Sequence, residues 1–160
     1  MQFTIRNIEQ KDVPTVYKLL IELALHEQIK DRLKLTQEQM EHDLFSSSAD
    51  WHGFVVANEE FGVIGFSLFT IANINRSYNT SPLIHIDDLY IKPAFRQYGL
   101  GKRLLAAIGN IAKEYGIDRL ELWCLKDNTL GQTFYGKCGG EKLTYLDVYC
   151  LSVDSLEVAE

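Results

Sequence analysis

The chain has 160 residues, 46% of them hydrophobic and 24% charged, and a formal net charge of -6. That length suits one domain with a real core, residues 1–160 as a single unit, and the composition is that of an ordinary soluble globular protein. The acidic balance argues against a nucleic-acid partner, whose backbone contacts need a basic footprint. The first residues, MQFTIRNIEQ, alternate without a long apolar run, and no apolar stretch is long enough to span a bilayer, so neither a signal peptide nor a membrane partner is expected. Cys124, Cys138 and Cys150 are widely spaced with no CxxC, the pattern of free thiols in a reducing cytoplasm.

Residues 2–6 alternate, with Phe3 and Ile5 on one face, and read as a first strand. Asp12 is expected to cap a helix whose apolar stripe is Val13, Val16, Leu20 and Leu23, with Pro14 tolerated in its first turn. Thr36 and Gln39 form the pattern of a capping box, opening a second helix that buries Met40, Leu44 and Phe45. Two β-rich runs, 53–57 and 62–71, read as a hairpin, and the polar segment 72–82 as a loop at a functional entrance. A strand over 83–91 is followed by a helix over 101–115 that Gly116 closes. Residues 119–125 read as a strand, and Asn128 caps a helix reaching Lys137, which Gly139 and Gly140 stop. Two alternating runs, 142–146 and 148–153, are expected to form a closing hairpin. The order β-α-α-β-β-β-α-β-α-β-β implies a mixed α+β sheet with helices on both faces.

The most informative stretch is residues 84–108, IHIDDLYIKPAFRQYGLGKRLLAAI. An apolar strand carrying the adjacent carboxylates Asp87 and Asp88 feeds a turn with Arg96, Gly99, Gly101 and Lys102 that opens a helix. Backbone N–H groups at such a turn, the partial positive charge of the helix end and the absence of a glycine side chain together suit an anion such as phosphate. The turn is neither a triphosphate loop, because Arg103 stands where Ser or Thr would be, nor a dinucleotide fingerprint, because Leu104 replaces the third glycine. Its pattern is R-x-x-G-x-G.

The segments IDDLYI and QYGLGKRLL, the strand LELWCL, Asn128 and the FYGKCGG run together resemble the GNAT acetyltransferase family over essentially the whole chain. Within it, IDDLYI, ELALHEQ and LTQEQMEHDLF are similar to the spermidine/spermine (diamine) acetyltransferases. The resemblance implies the GNAT fold with a seven-stranded mixed sheet, acetyl-CoA as co-substrate, no metal, and commonly a homodimer, for which the closing hairpin is a natural interface. It implies that backbone groups of Gln97, Tyr98, Gly99, Leu100, Gly101 and Lys102 cradle the pyrophosphate, with charge from Arg96 and Lys102. Leu89, Tyr90 and Ile91 would pair with the pantetheine arm, one of their amides polarising the thioester carbonyl, and Asn128 would contact CoA.

The reaction expected is acetyl transfer to a primary amine by direct attack in a ternary complex. An alkyl ammonium with pKa near 10.4 is neutral only about one part in a thousand at neutral pH, roughly 4 kcal/mol from its nucleophilic form. Asp87 is the candidate for amine contact and proton relay, directly or through water. Adjacent strand residues point to opposite faces, so at most one of Asp87 and Asp88 lines the site unless a bulge intervenes. Tyr135, where the family's tyrosine falls, is the candidate acid for the leaving thiolate. Its spacing from Asn128 is close to two helical turns, about 10 Å along the axis. His26 and Glu27 match a Tyr-Glu substrate-contacting pair of the diamine enzymes. Here His replaces Tyr, Asp87 replaces a Glu, and Lys30 and Arg32 are basic where the polyamine enzymes are more acidic. That shift favours a shorter amine or one bearing its own carboxylate, such as a lysine-like molecule. His42, His52 and His85 show no metal-ligand spacing. The alternatives are a protein lysine or N-terminal acetyltransferase, a ping-pong route through Cys124 or Cys138, and a non-catalytic acyl-CoA sensor.

Overall fold

The computed structural model describes residues 1–156, and the alternating runs pair much as their patterning requires. In chain order the elements are β1 (Thr4–Asn7), α1 (Val13–His26), α2 (Gln37–Phe45), β2 (Trp51–Asn58), β3 (Gly62–Ala72), β4 (Leu83–Ile91), α3 (Leu100–Glu114), β5 (Leu120–Leu122) and α4 (Thr129–Lys137). The strands form one sheet in the order β1-β2-β3-β4-β5. Its first three pairings are antiparallel, and β4 pairs with β5 in parallel through the α3 crossover. The sheet is mixed, as expected, but five-stranded among the described residues rather than seven-stranded. The chain divides into two compact units, Met1–Asn128 and Thr129–Glu160, and the whole sheet lies in the first.

Two apolar layers sandwich this sheet. Phe54 and Val56 of β2 join Phe69, Ile84 and Ile86 against Leu100, Leu104 and Ile108 of α3. Val55, between them in sequence, joins Phe66, Leu68 and Tyr90 against Val13, Val16, Leu19 and Leu20 of α1 and Met40 and Leu44 of α2. Alternate residues therefore serve opposite layers, the period-2 logic of a sheet covered on both faces. Each fully buried Leu, Val or Phe contributes roughly 1.5–3 kcal/mol by leaving water. Phe45, expected in the core, is 38% exposed, because the stripe of this short helix passes through Met40 and Leu44 instead.

Local signals were partly redirected by tertiary partners. Thr36 caps α2, accepting from the Gln39 N–H at 3.1 Å, but the Gln39 amide turns to Asp43 Oδ1 at 2.7 Å rather than back to the cap. Asp12 precedes α1 without capping it. Its carboxylate instead accepts two hydrogen bonds from Arg6 of β1, at 2.6 and 2.9 Å, and one from the Glu9 N–H at 2.9 Å. The hydrogen-bonded Arg6 guanidinium holds this carboxyl below the ordinary aspartate range. An ion pair of this kind ties the first strand to the first helix. α3 ends as read, with Gly116 left-handed (φ 66°) and the Ile117 N–H donating back to Ala112 O at 2.8 Å.

In the second unit, α4 ends where the two glycines stand: Gly139 is left-handed (φ 86°) and the Gly140 N–H donates to Tyr135 O at 2.9 Å. The closing hairpin does not form. Residues 142–152 contain no strand, and a short 3-10 turn occupies Val153–Ser155. The two runs are separated by Asp147 alone, too short for a two-residue hairpin turn, and an isolated hairpin is marginal in water in any case. Tyr145, Leu146, Val148, Tyr149, Leu151 and Val153 are left exposed.

Asp12→Ala should lower the unfolding free energy by about 2 kcal/mol, because it strands the Arg6 guanidinium beside the sheet. Urea denaturation at pH 7 measures this, and a change below about 0.5 kcal/mol would mean that the pair is only a surface contact.

Candidate active site

The apolar phase of β4 changes midway. Ile84 and Ile86 pack in the α3 layer, and so do Leu89 and Ile91, which lie at odd rather than even positions. One extra residue must sit between the two halves. The register shows it: Leu68 of β3 faces Asp88, Phe69 faces Ile86, and Asp87 is the residue left over. This β-bulge turns both carboxylates toward the α1 and α2 layer, since Asp88 is opposite Leu68 and Asp87 bonds to side chains on that side. The condition under which both acids can line one site is met.

The two acids have different surroundings. Asp87 is exposed, and its Oδ2 accepts from Trp51 Nε1 at 2.9 Å and from Thr70 Oγ1 at 3.1 Å. Asp88 is half-buried. Burial pushes its carboxyl up to about 7, and the negative charges of Asp87 and Glu27 add to the rise. Ser67, fully buried, donates its hydroxyl to the Asp88 carbonyl at 2.8 Å and so fixes the bulge backbone.

Glu27 arrives from the end of α1. The chain reverses immediately after it, through Gln28 in the left-handed region (φ 59°), with the Ile29 N–H bonded to Ala24 O at 2.9 Å. Glu27 Oε1 accepts from Asn128 Nδ2 at 3.2 Å. Burial raises the Glu27 carboxyl, while the Asn128 bond and the positive charge of His26 oppose the rise. The Cys124 thiol lies 3.8 Å from Asn128 O and is raised by burial and by Glu27. Glu27, Asp88, Cys124 and Asn128 therefore form one neighbourhood, and His26 sits exposed at its rim. Asp88 was the member that the sequence reading passed over. The phase change in IHIDDLYI was the signal for it.

β5 pairs only with Ile84, His85 and Ile86. Residues 123–125, expected to extend it, are not strand, because the bulge ends the ladder they would join. From Asp87 to Ile91 the edge of β4 away from β3 thus has no strand beside it among the described residues. This opening continues into the anion turn. Gln97 and Gly99 are both left-handed (φ 71° each), and Gly99 is the N-cap of α3. The side chain of Leu100 is buried while the first N–H groups of the helix, at Leu100, Gly101 and Lys102, precede the first intrahelical bond, Arg103 N–H to Gly99 O at 3.0 Å. Backbone donors converging at a helix N-terminus suit a diphosphate, and a bare strand edge suits an amide-bearing arm, so these residues fit CoA. Arg96 is a brace more than a free cation: its Nε donates to Ile91 O at 2.9 Å and its guanidinium lies 5.5 Å from the Tyr90 ring centre. The Tyr90 hydroxyl donates to Glu22 at 3.3 Å, leaving its backbone for the strand edge. Tyr98 is exposed, its ring 5.5 Å from Phe3. Tyr135 lies on α4 in the second unit, half-buried, edge-on to Phe134 at 5.1 Å.

A profile of the Acetyltransferase (GNAT) family matches residues 15–140. The chain belongs to the GNAT acetyltransferase family. It is an acetyl-CoA-dependent N-acetyltransferase. Among curated relatives it is 28% identical over 149 residues to a thialysine N-epsilon-acetyltransferase of Bos taurus, covering 88% of this chain and 85% of that one. It is 31% identical over 127 residues to the Caenorhabditis elegans protein of the same description, covering 78% and 74%. Among solved structures it superposes on AAC(6')-Iy in complex with a CoA bisubstrate analogue with a TM-score of 0.78 at 18% identity, over 95% of this chain and 99% of that one. That likeness is one of fold, and it supports the GNAT architecture despite the smaller number of strands.

In this acetyltransferase the raised Asp88 carboxyl has a measurable signature. A group whose folded pKa exceeds its unfolded value stabilises the fold at low pH and loses that contribution as pH rises, here between about 4 and about 7. Asp88→Asn should therefore be more stable than the parent at pH 8, by about 2–4 kcal/mol, with the difference fading toward pH 4. Thermal or urea unfolding across that range measures it, and a difference independent of pH would contradict the assignment.

Proposed function

We propose that this enzyme acetylates the primary amine of a small molecule, a lysine-like amine or a diamine, by direct attack in a ternary complex, the two compact units acting as one catalytic domain. The observation that carries the reading is the β4 bulge, which turns Asp87 and Asp88 to the side where the charge of Glu27 reaches Asp88. Three carboxylates in one neighbourhood select a cation. Lys30 and Arg32, exposed in the turn just past Glu27, add positive charge that disfavours a long polycation and suits an amine bearing a carboxylate. The thialysine acetyltransferases among the relatives support that choice.

Magnitudes assign the proton. An ordinary carboxylate near 3.9 lies about 6.5 pKa units below an alkyl ammonium, roughly 9 kcal/mol. With Asp88 at about 7 the gap shrinks to about 3.4 units, roughly 4.6 kcal/mol. Asp88 is accordingly the proton acceptor in this reading, Asp87 and Glu27 hold the ammonium, and His26 borders the entrance. The acetyl group comes from the thioester of acetyl-CoA. Backbone N–H groups of residues 97–102 hold its diphosphate, the free edge at Leu89, Tyr90 and Ile91 takes the pantetheine and polarises the carbonyl, Asn128 borders the arm, and Lys102 adds charge. Tyr135 donates a proton to the departing thiolate. The raised Cys124 thiol is a poor nucleophile, which favours direct attack over an acyl-cysteine route.

The exposed apolar run from Tyr145 to Val153 is the natural seam of a homodimer. Among the described residues no helix is long and apolar enough to cross a membrane, and no three His, Cys, Asp or Glu side chains gather as a metal cage. The free thiols Cys124, Cys138 and Cys150 fit a reducing cytoplasm.

A thiol-release assay with acetyl-CoA against a lysine analogue, a diamine, spermidine, an aminoglycoside and a lysine peptide tests the acceptor class. Turnover should be highest on the lysine analogue or the diamine, and turnover confined to the peptide would overturn the proposal. Asp88→Asn and Tyr135→Phe should each lose about 100-fold or more in kcat while acetyl-CoA still binds by calorimetry. Near-normal kcat in either variant removes that residue from the mechanism.

A further inference from the structure

We infer that Trp51 and Thr70 are positioning residues that hold the Asp87 carboxylate in one orientation at the bulge and thereby decide how tightly the acceptor amine is gripped. The inference rests on the amine site proposed above and adds two residues to it.

Trp51 of β2 and Thr70 of β3 are direct cross-strand partners, so their side chains stand together on one face, Thr70 one strand and Trp51 two strands from the bulge in β4. Both donate to the same atom, Asp87 Oδ2, at 2.9 and 3.1 Å. The indole N–H is a donor and nothing else, so its direction leaves it one use. The Trp51 ring is anchored by packing on the layer that contains Val55, Phe66 and Leu68, which makes it a rigid holder. With Oδ2 engaged twice, Oδ1 is the oxygen left to meet an ammonium group. An exposed aspartate without such partners would sample several rotamers, and each amine contact would first have to order it. Two fixed donors do that ordering in advance.

The arrangement also sets the distance between the two acids. Facing Asp88 are the charges of Asp87 on its own strand and of Glu27 from the end of α1. A fixed Asp87 keeps its charge at a constant separation from Asp88, whereas a released side chain can swing toward water. Trp51 and Thr70 thus bear on the proton acceptor through Asp87 and touch neither the amine nor the thioester themselves.

The test is a double-mutant cycle on the whole enzyme, using the best acceptor from the panel above. Trp51→Phe and Thr70→Val should each lower kcat/KM for the amine by roughly three- to tenfold, mainly through KM, with KM for acetyl-CoA unchanged. The acidic limb of the kcat/KM profile should move to lower pH in both variants and further in Asp87→Asn, because less negative charge faces Asp88. In the Asp87→Asn background neither Trp51→Phe nor Thr70→Val should cause any additional loss. Equal losses with and without the Asp87 carboxylate would show that Trp51 and Thr70 act only as packing, and the inference would fall alone. If Asp87→Asn by itself leaves kcat/KM for the amine unchanged, the inference falls together with the role of Asp87 in the amine site. Thr70→Val preserves shape, so its result stands even if Trp51→Phe perturbs the fold.

Discussion

One extra residue in β4 governs the catalytic end of this protein. Without it, Asp87 and Asp88 would project to opposite faces, one toward the α1 layer and the other into the apolar packing of α3. An ionised aspartate there would be untenable beside Leu104 and Ile108. With it, both acids face the α1 layer, the charge of Glu27 bears on Asp88, and the ladder to β5 stops after Ile86. A single irregularity therefore creates two things together: a pair of acids on one face of the sheet and, among the described residues, a strand edge with no strand beside it, the two features on which the proposed amine and CoA sites rest. The hydroxyl of the buried Ser67, bonded to the Asp88 carbonyl, shows that the irregularity is held in place from beneath.

The two halves of the proposed site would recognise their ligands by different means. On the proposed CoA side the work would fall to main-chain groups, so side-chain identity would matter mainly where it shapes the backbone: left-handed Gln97 and Gly99, the buried Leu100 that seats the helix start, and Arg96 tied to Ile91. On the proposed amine side, side-chain charge and burial would decide. Partial burial of Asp88, with the negative charges of Asp87 and Glu27 beside it, raises its proton affinity into the working range of a base. That is a standing destabilisation of the fold above neutral pH, the familiar conflict between a strained site and a stable protein. The Arg6–Asp12 pair and the two well-packed apolar layers supply stability elsewhere.

The second unit raises a different issue. α4 carries Tyr135 and ends cleanly at its glycines, but the apolar run beyond it forms no strand among the described residues. Exposed Tyr, Leu and Val side chains along 145–153 are a surface looking for a neighbour, and a segment of high β-propensity is a liability when left bare. A homodimer seam would resolve both problems.

Much of this molecule was legible without coordinates. The alternation in β1 to β4, the stripes of α1 and α3, the helix stops at Gly116, Gly139 and Gly140, and the turn at residues 96–102 that opens α3 all follow from local periodicity and backbone preference, which a single strand or helix expresses by itself. The failures were of another kind. Asp12 and Gln39 had side-chain partners outside the predicted caps, the closing hairpin lacked a turn of workable length, and residues 123–125 lost the strand they were meant to pair with. Which of two adjacent aspartates would be the less exposed, and that Trp51 and Thr70 would meet Asp87 across three strands, depended on register and on the approach of α1. Local sequence sets which face a residue prefers. Burial, charge coupling and hydrogen-bond partners between residues tens of positions apart exist only once the sheet has closed around its bulge, and those are what set two adjacent acids in different surroundings.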